Sequence, residues 1–251
     1  MLKVDLNCDM GESFGAWTLG NDAALMEVVS SINVACGFHA GDATVMRQTV
    51  ETAVAKNVAI GAHPSFPDLQ GFGRREMSLS PKEIFDVTLY QVSALQGIIR
   101  AHGGKLHHVK PHGALYNSAA KSAEKAAAIA CAVKMVDQDL ILYGLSGSAL
   151  ISEAEKIGLR TASEVFADRT YQADGSLTSR AQPNALIEDA QTAVAQVLEI
   201  LAANMVTATN GTKVQLKAET ICLHGDSIHA LRFAQAIRES LSRNDVLIEP
   251  L

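Results

Sequence analysis

Val4-Asp5-Leu6-Asn7-Cys8-Asp9 alternates apolar and polar side chains, and in a β-strand residues two apart share a face. Asp5, Asn7 and Asp9 therefore take one face and Val4, Leu6 and Cys8 the other. A bare carboxylate costs too much to bury, so the polar face must look into a space that supplies a cation, a His, a backbone donor or a metal; Lys3, Lys110 and Arg169 are available cations. An ion pair on the barrel floor is one reading of Asp5. The same sorting recurs along the chain. Gly37 and His39 oppose Val34, Cys36 and Phe38; Gly61 and His63 oppose Val58, Ile60 and Ala62; His108, Lys110 and His112 oppose Val109; Cys222 and His224 oppose Ile221 and Leu223. A closed barrel, with an apolar outer wall under helices and a polar mouth at the strand C-terminal ends, accounts for this better than an open sheet covered on both faces.

Seven β-rich runs can be marked: Leu2 to Cys8, Ile32 to Phe38, Val58 to Ala62, Leu106 to Lys110, Leu140 to Leu145, Leu159 to Glu164 and Thr220 to His224. Helical patterns lie between them, which is the signature of βα units feeding a parallel sheet. Ser80-Pro81-Lys82-Glu83 supplies an N-cap, a first-turn proline and a capping-box glutamate for a helix ending near Gly103. Further helices are expected over Asp42 to Lys56, Ser122 to Val136, Gly147 to Lys156, Asn184 to Ala203 and Ser227 to Ser242. Two long connections, Pro64 to Ser80 and Phe166 to Pro183, each follow a strand and are expected to build a substrate wall or lid. No linker or composition shift divides the chain, so residues 1–251 are read as one α/β barrel domain.

The 251 residues carry 21 Lys plus Arg against 27 Asp plus Glu, a net charge of −6, with 48% hydrophobic and 19% charged residues. That composition can bury a large core and excludes a disordered or fibrous chain. Without basic runs, neither nucleic acid nor an anionic membrane surface is expected as a partner. Asp5, Asp9 and Glu12 interrupt any signal-type apolar run and no stretch is long enough to span a bilayer, so a cytoplasmic location is expected. Cys8, Cys36, Cys131 and Cys222 form no CxxC pair; Cys8 and Cys36 fall on the outer strand face and read as core. There is no P-loop, no GxGxxG after a strand, no GxSxG elbow and no HExxH.

Six of the seven expected strands end in ionisable residues: Asp9 and Glu12, His39 and Asp42, His63, Lys110 and His112, Glu164, and His224 and Asp226. Four histidines at corresponding strand ends point to a shared site. His102 and His107 lie at the opposite end of the sheet, and His229 in the last helix; these read as structural. Asp9, His39 and His63 are the candidate ligands for a protein-bound divalent metal, an Asp plus two His being able to supply an open hydrolytic site.

Several segments carry a resemblance: Val4 to Ser13, Ile32 to Asp42, Gly61 to Ser65, Asp68 to Arg74, Val109 to Tyr116, Glu164 to Arg169 and Cys222 to Asp226. In combination, across essentially the whole chain, they resemble the LamB/YcsF lactam-utilisation family, whose members act as the A subunit of bacterial ATP-dependent 5-oxoprolinase. The resemblance implies a distorted TIM-like (β/α) barrel related to glycoside hydrolase and deacetylase barrels. It implies that 5-oxo-L-proline, ATP and water give L-glutamate, ADP and phosphate, with ATP as co-substrate together with Mg. It also implies two further subunits, B and C, resembling the two halves of allophanate hydrolase. For that reaction Asp9, His39, His63, Lys110, His112 and Glu164 are the candidate catalytic residues. Asn7, Glu12, Asp42, Asp168, Arg169, His224 and Asp226 are candidates for substrate contact. Lys110 or Arg169 would counter charge on oxygen, and His39, His63, Asp9 or Glu164 would activate water or hold a divalent metal.

Two other readings compete. A stand-alone, metal-dependent deacetylase or amidohydrolase would turn over without ATP or partners. A non-catalytic scaffold component would bind substrate and leave the chemistry to its partners, a reading kept open by the lack of any familiar ATP motif.

Overall fold

The computed structural model describes residues 2–223 and 230–251; His224, Asp226 and His229, and the expected helix start at Ser227, lie outside the described residues. In chain order the strands are β1 (Leu2–Met10), β2 (Ser31–Ala35), β3 (Ala59–His63), β4 (Leu106–Val109), β5 (Ile141–Leu145), β6 (Arg160–Phe166), β7 (Met205–Thr207), β8 (Lys213–Gln215), β9 (Thr220–Leu223) and β10 (Val246–Ile248). The helices are α1 (Asp22–Leu25), α2 (Ala43–Ala55), α3 (Pro81–Ala101), α4 (Gly113–Lys121), α5 (Ala123–Val136), α6 (Ala149–Lys156), α7 (Ala190–Ala203) and α8 (Ala230–Arg243).

Strands β1, β2, β3, β4, β5, β6 and β9 pair in that order, all parallel, and β9 pairs back onto β1, closing a seven-stranded barrel. The start of β1 also pairs in parallel with β10, and β7 with β8 forms a small antiparallel hairpin. No described helix is long and apolar enough to cross a membrane. The α3 capping box is present as expected, with Glu83 and Ser80 reciprocally bonded.

Three departures from the expected elements have local causes. β2 stops at Ala35 because Gly37, at φ +90°, turns the chain and its N–H donates to the Ala40 carbonyl, so His39 is carried on a loop. α7 begins at Ala190 rather than near Asn184, since Asp189 caps it by accepting from the Thr192 N–H. α4 starts immediately after His112 and had no capping signal: His112 is its N-cap residue without a side-chain cap bond.

The alternation in β1 sorts as expected. Val4, Leu6, Cys8 and Met10 are fully buried in the apolar layer between barrel and helices, and Cys36 joins them. The inward residues are equally buried but polar, and they stack in layers. At the floor Asp5 meets no cation among the described residues; instead it accepts hydrogen bonds from Ser30 Oγ (2.6 Å), Ser31 Oγ (2.8 Å), Thr220 Oγ1 (2.6 Å) and Tyr143 Oη (3.0 Å). Lys3, a cation available to it in sequence, pairs at the surface with Glu249. Hydroxyl dipoles thus replace an ion pair, which satisfies the carboxylate without burying a second charge. Asp5→Ala leaves four hydroxyls of the barrel floor without their shared acceptor. It is expected to lower stability by about 3 kcal/mol in urea unfolding, and a loss below about 1 kcal/mol would show that the floor rearranges at little cost.

At the opposite end from the mouth, His107 Nε2 lies 2.7 Å from the Leu251 carbonyl and His102 closes α3. Both lie away from the mouth, as their position in the sequence suggests.

Candidate functional site

Above the floor, the inward side chains of β1, β6 and β9 converge on one ammonium. Lys110 follows β4 directly, anchored by its own N–H donating to the Ala62 carbonyl at 2.9 Å. Its Nζ lies 3.0 Å from Asp9 Oδ1, 3.0 Å from Glu164 Oε1, 3.2 Å from Asn7 Oδ1 and 2.9 Å from Cys222 Sγ. Burial opposes the charge, but Asp9, the Cys222 thiol and Glu164 outweigh it and hold the lysine well above its ordinary pKa. The ammonium is therefore fully charged in a site from which bulk water is nearly excluded.

The neighbours are themselves held. Asn7 Nδ2 donates to Glu164 Oε1 (3.1 Å) and Thr220 Oγ1 (2.6 Å), and Asn33 Nδ2 donates to Asn7 Oδ1 (2.8 Å) and Asp9 Oδ1 (2.9 Å). Tyr116, in the first turn of α4, donates to Glu164 Oε2 at 2.7 Å. Glu164 thus receives donors on both oxygens, an arrangement that fixes the carboxylate in place. Asp9 differs: Oδ1 is engaged by Lys110 and Asn33, while Oδ2 faces His63 Nε2 at 3.2 Å.

Three imidazoles form the rim. His63 Nδ1 lies 2.6 Å from the Lys110 carbonyl and His112 Nε2 2.9 Å from the Phe72 carbonyl. His63 Nε2 and His112 Nδ1 then face each other at 2.9 Å. The His39 ring stacks on His112 (centroids 3.8 Å apart, planes 4° apart) and its Nε2 reaches Glu12 Oε1 at 3.3 Å. Burial, followed by the neighbouring imidazoles, pushes His39 and His112 well below the ordinary histidine pKa, so both rings are neutral.

A cavity of about 530 Å³ opens over this layer; Asp9, Glu12, His63, Lys110 and His112 reach its base. Both long loops supply walls, as expected: Arg74 and Glu76 from the first, Arg169 and residues 176–181 from the second. Arg169 is held by the loop itself, its guanidinium donating to the Thr178 and Ala185 carbonyls at 2.6 and 3.3 Å, and burial with Arg180 nearby lowers its pKa to about 10.

The structure therefore gathers Asn7, Asp9, Glu12, His39, His63, Lys110, His112 and Glu164 into one connected cluster, with Arg169 on the cavity wall. Asp42 stands apart as the N-cap of α2. Its Oδ1 accepts from the Thr44 and Val45 N–H groups and its Oδ2 from the Gly15 N–H, which lowers its pKa and occupies both oxygens. Asp168 is half-buried beside Arg169 and its carbonyl accepts from the Ile187 N–H. For the metal set expected in sequence, Asp9 and His63 are adjacent, but among the described residues the four whose donor atoms come within 4.8 Å of one another are Glu12, His39, His63 and His112.

Residues absent from the sequence-derived site are Asn33, Tyr116, Phe72, Arg74 and Cys222. Asn33 and Cys222 share strand parity with inward residues, so alternation marks their face; both are uncharged and stand out only once their partners are seen. Tyr116 depends on the unmarked helix α4. Phe72 acts through its carbonyl, for which no side-chain signal exists.

The chain matches the LamB/YcsF family over residues 4–251. It is 58% identical over 246 residues to the A subunit of the 5-oxoprolinase of Bordetella parapertussis, covering 98% of each chain. The crystal structure of a lactam utilization protein from Thermus thermophilus superimposes with a TM-score of 0.93 at 45% identity, covering 100% of both chains. A family 4 carbohydrate esterase from Streptomyces lividans shares the fold alone, with a TM-score of 0.52 at 12% identity over 98% of this chain and 91% of that one.

Proposed function

The chain belongs to the LamB/YcsF family, and on that premise we propose that it is the A subunit of a 5-oxoprolinase that cleaves 5-oxo-L-proline to L-glutamate coupled to hydrolysis of ATP to ADP and phosphate. In this reading ATP, with Mg, is a co-substrate and two further subunits, B and C, complete the enzyme. The observation that supports it best is the buried Lys110 ammonium at the base of a cavity large enough for a small cyclic amide.

An unstrained five-membered lactam is a poor electrophile, so its carbonyl has to be activated before water can add. Phosphorylation of the amide oxygen by ATP would do so, breaking the γ-phosphate bond and leaving an electrophilic ring carbon with a good leaving group. Lys110 is placed to stabilise negative charge on that oxygen, and Arg169 offers a second cation on the wall. The Asp9–His63 edge, where a carboxylate oxygen and an imidazole nitrogen face the cavity, is the place for water activation. Glu164, saturated by Tyr116, Asn7 and Lys110, serves to position the lysine.

The test is 5-oxoproline-dependent formation of ADP and glutamate by this chain alone, by its partner chains alone and by the mixture. Turnover is expected in the mixture only. Hydrolysis by this chain alone without ATP would overturn the reading in favour of a stand-alone amidohydrolase. Within the mixture, His63→Ala is expected to lower glutamate formation by at least about 100-fold while the complex still assembles.

A further inference from the structure

The rim histidines present an electrostatic problem that the proposed lactam chemistry does not resolve. A carbonyl oxygen can only accept, so the short contacts to the Lys110 and Phe72 carbonyls place the ring protons on His63 Nδ1 and His112 Nε2. In these tautomers the neutral rings are donors outward and offer lone pairs inward. His63 Nε2 and His112 Nδ1 point those lone pairs at each other across 2.9 Å, with Asp9 Oδ2 3.2 Å from the first and Glu12 Oε1 3.7 Å from the second. Two imidazole nitrogens and two carboxylate oxygens thus converge on one buried point, each within 3.7 Å of a neighbour in the set. Nitrogen and carboxylate oxygen atoms gathered at this spacing are the donor set that a divalent cation collects.

We propose that His63 Nε2, His112 Nδ1, Glu12 and Asp9 Oδ2 form a binding site for one divalent first-row transition-metal ion. An ion with bonds of about 2.1 Å separates neighbouring donors by roughly 3.0 Å in octahedral and 3.4 Å in tetrahedral geometry, and the three separations above bracket those values. The backbone carbonyls that fix both tautomers are the outer partners that metal-bound histidines use. Arrangement on β1 and the turn that follows it, on β3 and at the β4–α4 junction, beside the cavity, leaves room for an exchangeable position.

His39 belongs to the cluster but is excluded as a direct ligand. Its ring lies parallel to that of His112 at 3.8 Å, and no ion can lie in the planes of two stacked rings at bonding distance from both. Its Nδ1 is buried and has no hydrogen-bond partner among the described residues, so its proton belongs on Nε2, donated to Glu12 Oε1. His39 is a positioning residue: it orients the glutamate and braces the His112 ring. The sequence-derived set of Asp9, His39 and His63 is thereby replaced by Asp9, Glu12, His63 and His112.

The experiment uses the isolated full chain without ATP or partner chains, so its failure is distinct from failure of the 5-oxoprolinase reading. Chelator-stripped protein is titrated with Co²⁺ and followed by visible absorption, by metal content after dialysis and by proton NMR. One ion per chain is expected, with two exchangeable contact-shifted imidazole N–H signals, those of His63 and His112. His63→Gln and His112→Gln should each weaken Co²⁺ binding by at least 100-fold, and His39→Phe, which keeps the ring stack, by less than 10-fold. Absence of stoichiometric Co²⁺ binding would overturn the site, as would unchanged affinity in both glutamine variants. The NMR count needs no variant to fold: three shifted N–H signals would return His39 to the ligand set, and none would refute histidine ligation.

Discussion

Lys110→Met is expected to abolish 5-oxoproline-dependent glutamate formation, by at least about 10³-fold in kcat, and to lower stability by about 3–5 kcal/mol. Both effects have one cause. The ammonium stands 3.0 Å from a carboxylate oxygen of Asp9 and 3.0 Å from one of Glu164, inside a barrel where both carboxylates are buried. Methionine fills the volume of the lysine stem and removes only the charge, so the loss reads the cost of two uncompensated carboxylates rather than of a cavity. Adding Glu164→Gln to Lys110→Met tests this directly. One buried charge disappears while Asn7 and Tyr116 still find a partner, so the double variant is expected to regain about 1–3 kcal/mol of stability and none of the activity. Urea unfolding measures the first and the coupled ADP and glutamate assay the second. A double variant less stable than Lys110→Met would mean that the carboxylates are not what the lysine neutralises.

That pairing could be foreseen only in part. Alternation in β1 puts Asp5, Asn7 and Asp9 on one face because the strand period is two, a property local enough to read from six residues. The closed barrel then follows from the repetition of that pattern, and seven strands were countable from their βα punctuation. Which inward side chain meets which is a matter of register across the barrel. Lys110 lies opposite Asp9, Asn7, Glu164 and Cys222 through contacts that span up to 112 residues of sequence, and no local pattern encodes them. Asp42 shows the reverse error. An aspartate at the head of a helix is a cap first, and its proximity in sequence to His39 carried it into the expected site although its oxygens are bound to backbone N–H groups. Phe72 shows a third kind of omission, since it sets the His112 tautomer through a carbonyl that every residue possesses.

Gly61→Ala is expected to be among the most damaging single-methyl additions in the chain, costing about 3 kcal/mol or more. A Cβ built at Gly61 would lie 2.1 Å from His108 Nε2 and within 2.5 Å of two of its ring carbons. The imidazole has no room to yield: it is fully buried, its face stacks on Tyr143 with centroids 4.0 Å apart, and its Nε2 donates to Asn33 Oδ1 at 2.9 Å. Gly61 therefore carries hydrogen because His108 crosses the barrel over it, on the rung where Gly61 and His108 pair between β3 and β4. Adding His108→Ala to Gly61→Ala removes the clashing ring, and the double variant is expected to be more stable than Gly61→Ala alone although each single change is destabilising. A Gly61→Ala protein that unfolds within about 1 kcal/mol of the parent, or a double variant no better than the single, would show that the wall moves instead. The double variant should nevertheless remain poor in the coupled assay. Asn33 takes its orientation from His108 on one side and passes it to Asp9 on the other, so restoring the packing does not restore the carboxylate that faces His63.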